Sequence, residues 1–147
     1  MNKKIFAVLS IFLMVMVGCA YATDSTDSLN NNTVTISGVN FTIPEGFTED
    51  VEEAVVNQSN SDDGYNYVTN QKMFEDNDTN LILLSVETYE QNITDDFISD
   101  FGEKTTINNV TGSLEDLGFL ALFTYVQDGQ LVVVTANNQE LIKEVVI

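Results

Sequence analysis

A hairpin signature near the C-terminus limits the folds open to this chain more than any other feature. Residues 119–125 and 131–135 are rich in apolar and aromatic side chains, and Asp128-Gly129 separates them. An Asp-Gly pair between two such runs is typical of a type I′ turn joining antiparallel strands. Residues 81–84 are apolar at every position, which predicts a central strand buried on both faces of a sheet.

Alternating apolar residues predict further strands on both sides of that central strand. Residues 34–36 and 39–43 form a hairpin around Ser37-Gly38, and residues 65–74 and 81–89 form a second hairpin around a polar turn at 76–80. Short strands are expected near residues 105–107 and 112–114. Residues 57–64 are predicted to form a polar loop.

Three segments favour helices. Thr48 is placed to cap residues 48–55, although an extended segment is an equal alternative there. Thr94 precedes an apolar pattern over residues 95–101, with Gly102 as a left-handed stop. Asn138 is expected to cap a final amphipathic helix. The buried face of that helix consists of Leu141, Ile142, Val145 and Val146.

Together these elements predict one α+β domain, an antiparallel β-sheet covered by helices in an α/β/α sandwich. The domain is expected to span residues 34–147, behind a leader at 1–22 and a flexible polar spacer at 23–33. The single cysteine of the chain, Cys19, lies in the leader. The core must therefore hold without disulfides.

The leader is typical of a signal peptide. Lys3 and Lys4 precede residues 5–17, which are apolar apart from Ser10. A helix over those residues would span about 20 Å, less than the ~30 Å of a bilayer's hydrocarbon core. Export followed by cleavage is the prediction, which locates the protein outside the cell or on the outer face of its membrane.

Two overlapping signals leave the end of the leader open. Residues 20–22 fit an A-x-A site that would be cut after Ala22, which would release the protein. Residues 16–19 resemble a lipobox, in which Cys19 would be lipidated and would tether the domain to the membrane. Release is the preferred reading, tethering is the alternative, and an uncleaved helix over residues 5–22 is a third.

The composition is strongly acidic, with 23 Asp and Glu against five basic residues. Lys3 and Lys4 belong to the leader, so the mature chain would carry three Lys against 23 acids, a net charge of −20. Nucleic acid is excluded as a partner, because its binding depends on basic side chains that release counterions. Solubility outside the cell is preferred over a specific cation-binding role.

Residue types that carry most enzyme chemistry are missing. The chain has no His, no Arg and no Trp, and its only thiol would leave with the leader or carry lipid. The usual base near neutral pH and the bidentate phosphate clamp are therefore absent. The protein is expected to be no enzyme and to need no cofactor, and a hydrolase using paired carboxylates is the least favoured reading.

Acidic loops suggest calcium only weakly. Asp76, Asp78, Asn80 and Glu87 have EF-hand spacing, but Leu81 occupies the position where that loop needs Gly. A hairpin turn is preferred, and no metal site is assigned. Weak calcium binding by loop carboxylates is kept as an alternative. These carboxylates are Asp62, Asp63, Asp76 and Asp78.

Six sequons and one aromatic pattern complete the candidate sites. The sequons fit N-x-[ST] in mostly predicted loops or turns, and they are candidates for glycosylation where the exporting cell has the machinery. They begin at Asn31, Asn40, Asn57, Asn77, Asn92 and Asn109. Aromatic residues at strand spacing predict sheet packing rather than a ligand platform. They are Tyr65, Tyr67, Phe119, Phe123 and Tyr125.

The domain resembles the Mog1/PsbP-like fold. The resemblance rests on TINNVTG at 106–112, Asp128-Gly129, the strand at 131–136 with its terminal helix, and FTIPEGF at 41–47. It implies a binding or assembly-assisting role without catalytic residues, although the basic surfaces of some members are missing here. The chain also resembles small Asn-rich surface proteins of methane-producing archaea with no assigned activity.

The sequence therefore favours a non-enzymatic exported or cell-surface interaction module. Its partner would be an unknown protein or envelope component, and any membrane attachment would run through the leader or a Cys19 lipid. The alternative is an envelope protein that binds a small ligand or, weakly, a cation such as calcium.

Overall fold

The computed structural model describes residues 32–147, and nearly all of the regular structure in that range is β-strand. It contains one α-helix, α1 (Gln139–Val145), and one short 3-10 turn (Asp95–Ile98) within those residues. The strands are β1 (Thr33–Ile36), β2 (Val39–Thr42), β3 (Thr48–Asp62), β4 (Tyr65–Glu75), β5 (Leu81–Tyr89), β6 (Glu103–Ile107), β7 (Val110–Asp116), β8 (Ala121–Gln127) and β9 (Gln130–Ala136).

Seven strands form one antiparallel sheet in the order β3-β4-β5-β9-β8-β7-β6, and β1 pairs with β2 in a separate hairpin. After β5 the chain crosses the sheet through residues 90–102 and begins β6 at the far edge. It then returns strand by strand until β9 pairs with β5. The register aligns Leu84, Val134 and Phe123 across the three central strands.

One face of the sheet, here called the hairpin face, carries the main core. Leu84, Val134 and Phe123 are fully buried on it. The β1-β2 hairpin contributes Phe41 to the same cluster, and α1 contributes Ile142. The hairpin and the helix together form the layer over this face.

The opposite face, here called the crossover face, is covered in part by residues 90–102. Ile93 and Ile98 from this segment pack against Leu131 and Val133 of β9. Each of these four residues is at most 5% exposed. The segment therefore acts as the second covering layer, as the apolar runs of the central strands require.

The predicted hairpins and turns are confirmed. Asp128 and Gly129 both have positive φ, at 52° and 76°, and Ser37 and Gly38 share this conformation at 49° and 87°. Positive φ at both central positions defines a type I′ turn. The strand at 81–89 is central as predicted, since β5 lies between β4 and β9.

The predicted α/β/α sandwich is wrong, because helices do not cover the sheet. A β-hairpin and an irregular crossover take that place, and α1 is only seven residues long. Residues 48–55 are extended, since they open β3, which pairs along β4 with bulges near Val55. The polar loop predicted at 57–64 is wrong for the same reason: residues 58–62 pair with β4.

The helix predicted over 95–101 is reduced to the 3-10 turn. The Thr94 side chain makes no capping hydrogen bond, and the apolar residues face the sheet along an irregular path. Gly102 does not have the positive φ of a left-handed stop. Gly102 instead lets the crossover backbone lie close to β7, because a Cβ there would overlap the carbonyl oxygen of Leu114.

The terminal helix is confirmed. The Asn138 side-chain oxygen accepts a hydrogen bond from the backbone N–H of Leu141 at 3.0 Å. Ile142, Val145 and Val146 are buried as predicted, and Leu141 is half-buried.

We expect Gly102→Ala to destabilise the protein by about 1–3 kcal/mol, because the added methyl group must push the crossover away from β7. Asp100→Asn, an exposed change in the same segment, should stay within about 0.5 kcal/mol of the wild type. Urea unfolding followed by circular dichroism measures both. Equal stability of the two variants would contradict the packing of residues 90–102.

Candidate functional site

Four aromatic rings meet on the crossover face at one end of β4 and β5. Tyr67 and Tyr89 are stacked, with centroids 4.8 Å apart and an interplanar angle of 21°. Phe97 meets Tyr89 edge-on at 5.3 Å, and Tyr65 meets Phe97 in the same way at 5.4 Å. These four residues are called the tyrosine cluster below.

Strand register places the tyrosine cluster. Tyr67 lies directly opposite Tyr89 in the β4-β5 pair, and Tyr65 is two residues away, so all three side chains share one face. The crossover begins just after Tyr89 and brings Phe97 back over that face. Tyr67, Tyr89 and Phe97 are half-buried, and Tyr65 is 36% exposed.

Glu87 places a carboxylate beneath the tyrosine cluster. It lies two residues before Tyr89 on the same face and opposite Thr69 of β4. The Tyr89 hydroxyl donates a hydrogen bond of 2.7 Å to the Glu87 carboxylate. Burial raises the pKa of Glu87, and the negative charge of Asp62 adds to that rise, against the opposing effect of the Tyr89 hydrogen bond.

The two stacked tyrosines stay protonated at neutral pH. Burial, followed by the charges of Glu87 and Asp62, raises the pKa of Tyr67 to about 12. Burial and the adjacent Glu87 also raise the pKa of Tyr89. Tyr89 therefore remains a hydrogen-bond donor to Glu87 over the physiological range.

No ammonium group pairs with Glu87 within residues 32–147. Of the three lysines in this range, Lys72 pairs with Glu49 at 3.1 Å and Lys143 pairs with Glu140 at 2.7 Å. Lys104 lies on β6, at the edge of the sheet furthest from β4 and β5. In this range the site therefore combines aromatic rings with a half-buried carboxylate that lacks a cationic partner. Such a combination can attract a positively charged group from outside.

A shallow groove of about 410 Å³ lies across the same end of the sheet, mainly on the hairpin face. Ser59, Asn66, Thr88 and Glu90 line it, and Asn66 donates a side-chain hydrogen bond of 2.9 Å to Glu90. Hydroxyl, amide and carboxylate groups can hydrogen-bond a small polar molecule. The groove is a secondary candidate site.

The structure separates the four carboxylates considered for calcium. Asp62 and Asp63 lie at the β3-β4 turn, whereas Asp76 and Asp78 follow β4 at its other end. The 11 residues of β4 put about 34 Å between the two pairs. No group of three potential metal-ligating side chains occurs anywhere in residues 32–147.

The Asp76 carboxylate is hydrogen-bonded within its own turn. It accepts hydrogen bonds from the side chain of Asn80 and from the backbone N–H groups of Asp78 and Asn80. The Asn80 side chain is the main reason that the pKa of Asp76 is lowered. Because Glu87 lies well along β5, the hairpin prediction for the EF-hand-like spacing is confirmed.

Five of the six sequon asparagines are exposed and spread around the domain. Asn57, in the bulged part of β3, and Asn109, in the β6-β7 turn, have positive φ. The exposed residues are Asn40, Asn57, Asn77, Asn92 and Asn109. Asn31, the lipidation candidate Cys19 and the cleavage residue Ala22 lie outside the described residues.

No family model matches the chain, no curated protein matches it in sequence, and no solved structure matches it. The resemblance to the Mog1/PsbP-like group therefore stays a prediction. Among residues 32–147, no helix has the length and apolar character needed to cross a membrane.

Sequence reasoning found only half of the site. It assigned Tyr65 and Tyr67 to sheet packing, considered Glu87 only as the last position of an EF-hand-like spacing that it rejected, and gave no role to Tyr89. The register of the predicted hairpin was the signal that could have located the site. It places the alternating tyrosines of the first strand beside Glu87 and Tyr89 at the end of the second strand. The position of Phe97 could not be predicted in this way, because it depends on the path of the crossover. Phe123 and Tyr125 are buried as predicted. The same prediction is wrong for Phe119, which precedes β8 and is 67% exposed.

We expect the stability of the protein to fall as pH rises because of Glu87. Its pKa is raised in the folded state above the ordinary 4.5, so between these two values the folded state binds more protons than the unfolded state. The contribution is present at low pH and is lost as pH rises through the folded pKa. The free energy of unfolding of Glu87→Gln, relative to that of the wild type, should therefore increase as pH rises from 4 to 8. Urea unfolding measures this difference.

Glu90→Gln removes the same charge from the exposed groove and serves as the control. Its stability difference from the wild type should change much less over this pH range. A parallel pH dependence in the two variants would show that general charge repulsion, and not the burial of Glu87, causes the effect.

Proposed function

We propose that the chain is a non-enzymatic exported or cell-surface interaction module whose contact surface is the tyrosine cluster. The observation that carries this proposal is the half-exposed group of Tyr65, Tyr67, Tyr89 and Phe97 on an otherwise acidic surface. Tyrosine is enriched at protein contact sites, because it combines a large rigid apolar area with a polar tip.

The surroundings of the cluster support a contact role. Asp62 and Glu87 add negative charge near the rings, and Tyr65 stands beside the β3-β4 turn, where a partner could reach it. Truncating tyrosines at the centre of an interface often removes most of the binding energy. The cluster also holds the crossover to the sheet, so its rings would be preorganised for contact.

The sequence supports the non-enzymatic part of the proposal. The chain lacks His and Arg, and the mature part would have no free thiol. The partner would be a protein or another envelope component, and nucleic acid is disfavoured by the net negative charge. Attachment to the membrane would run through the leader or through a lipid on Cys19.

The shallow groove favours one alternative, an envelope protein that binds a small ligand. Ser59, Asn66, Thr88 and Glu90 offer donors and acceptors suited to a polar molecule. A cation such as calcium has less support than a polar organic ligand, since residues 32–147 bring no three carboxylates together.

Binding of the labelled mature protein to envelopes from cells that lack it tests the proposal. We expect saturable binding that the double variant Tyr65→Ser/Tyr67→Ser weakens at least about tenfold, because central tyrosines dominate such contacts. Thermal unfolding of the variant must confirm that it folds.

Phe119→Ser is the matched control. Phe119 is 67% exposed, in the turn before β8 at the opposite end of the sheet from Tyr65. It should bind like the wild type. Binding that is unchanged in the double variant, or lost equally in both proteins, would refute the assignment of the contact surface.

A further inference from the structure

We propose that the outer edge of β3 at residues 58–62 docks an extended, lysine- or arginine-bearing segment of an envelope protein, which pairs with β3 as an added strand. This inference rests on the proposed function, because it names how a protein partner reaches the contact surface and what chemistry it carries. In such strand addition, backbone hydrogen bonds supply affinity and the alternating side chains supply specificity.

The edge of the sheet at β3 is open and locally regular. β3 is the first strand of the seven-stranded sheet, and no other strand within residues 32–147 pairs with its outer side. Residues 58–62 pair with β4 at every position, without a register shift. An edge strand of this kind presents a row of N–H and C=O groups to which another chain can bond.

A two-residue turn fixes the hydrogen-bonding pattern of this edge. Asp63-Gly64 joins Asp62 to Tyr65, and both turn residues have positive φ. This is the type I′ hairpin geometry, in which the two residues that flank the turn exchange hydrogen bonds. Successive pairs along an antiparallel ladder then alternate between hydrogen-bonded and non-hydrogen-bonded. Counting back from Asp62, every second residue of this part of β3 therefore bonds to β4.

Ser59 and Ser61 carry the backbone groups that point outward. They occupy the non-hydrogen-bonded positions of the β3-β4 pair, opposite Val68 and Asn66. Residues at such positions direct their N–H and C=O groups away from the neighbouring strand. Both serines are exposed. Two N–H and two C=O groups are thus directed to the outer side of β3.

The other parts of the sheet edges are protected against pairing. Register shifts interrupt β3 between Asp50 and Val55 and again between Val55 and Gln58. At the opposite edge, β6 has only five residues and begins with Glu103 and Lys104. Bulges, short strands and charged side chains are common ways to prevent pairing at an edge. Residues 58–61 have neither a bulge nor a charged side chain.

Charge selects a basic segment as the occupant. β3 carries five acidic residues and no basic one, and Lys72 of β4 pairs only with Glu49 among them. A second copy of the chain would set two acidic β3 strands side by side, and like charges on facing strands are destabilising. The spacer at 23–33 also contains acids and no base. A segment with lysine or arginine is complementary to this edge.

The docking edge is continuous with the tyrosine cluster. Asn60 and Asp62 lie directly opposite Tyr67 and Tyr65 of β4, so these four side chains share the crossover face. An added strand would lie about 4.8 Å outside β3. Its side chains on the crossover face would extend the surface that the cluster forms. One partner segment can therefore use the edge and the rings together.

Binding of the blocked peptide Lys-Val-Lys-Thr-Lys-Val-Lys to the full mature protein tests the inference. At saturation, amide hydrogen exchange of Ser59 and Ser61, measured by NMR, should slow at least about tenfold because their N–H groups become hydrogen-bonded. The peptide Lys-Pro-Lys-Pro-Lys-Pro-Lys keeps the charge but favours polyproline II, so it should bind at least about tenfold more weakly. A peptide with Glu in place of every Lys should not bind.

Variants assign the effect to the edge. Ser61→Pro removes an outward N–H and no bond to β4, a position where edge strands tolerate proline, and should weaken binding of the valine peptide at least about tenfold. Thr106→Pro is the matched control, an exposed outward position on β6 next to the Ile107-Val110 pair. It should stay within about twofold. Thermal unfolding must show that both variants fold, and Ser59→Pro replaces Ser61→Pro if the latter does not.

Three results would overturn the inference: equal binding of the valine and proline peptides, unchanged exchange at Ser59 and Ser61, or equal weakening by Ser61→Pro and Thr106→Pro. A sedimenting dimer that Ser61→Pro converts to a monomer would show that a second copy occupies the edge, which also overturns it. If the peptide results fail while envelope binding still depends on Tyr65 and Tyr67, the contact surface stands and only strand pairing is wrong. If both fail, the proposed function fails as well.

Discussion

Burial of both faces of β5, β9 and β8 is the constraint on which the rest of the structure depends. Residues 82–86 and 131–136, in the interiors of two strands, are buried at every position. A sheet with one solvent-exposed face cannot accommodate them. Two covering layers are needed, and residues 32–147 contain little helix to supply them. The β1-β2 hairpin and α1 supply one layer, and residues 90–102 supply part of the other.

The crossover links this constraint to the candidate site. The chain leaves β5 at Tyr89 and must travel across the sheet to begin β6, and on the way it packs Ile93 and Ile98 against β9. That path brings Phe97 onto the tyrosines of β4 and β5. It also encloses the Glu87 carboxylate, whose burial the Tyr89 hydrogen bond partly offsets. The site is thus a consequence of how the sheet closes its second face.

Sequence patterns predicted the tight turns and the terminal helix correctly, but they missed the long edge strand β3 and the covering layers. Turn chemistry at Ser37-Gly38 and Asp128-Gly129 and the Asn138 cap depend on neighbouring residues, and the structure confirms all three. The helix expected at 95–101 failed because its apolar spacing fits an irregular segment on a sheet equally well. The tyrosine cluster could be predicted only in part. Strand register places Tyr67 beside Tyr89, but no local sequence pattern places Phe97.

The proposed contact role requires export, and the intact mass of the protein isolated from its own cells is the decisive measurement of export. We expect a mass that begins at Thr23, or at Cys19 with attached lipid, and any occupied sequons would add glycan mass. Either start means that the domain acts outside the membrane, where an interaction surface without catalytic residues would meet an envelope partner. A mass that still includes residues 1–22, in a protein recovered from inside the cell, would contradict export and the proposed contact role.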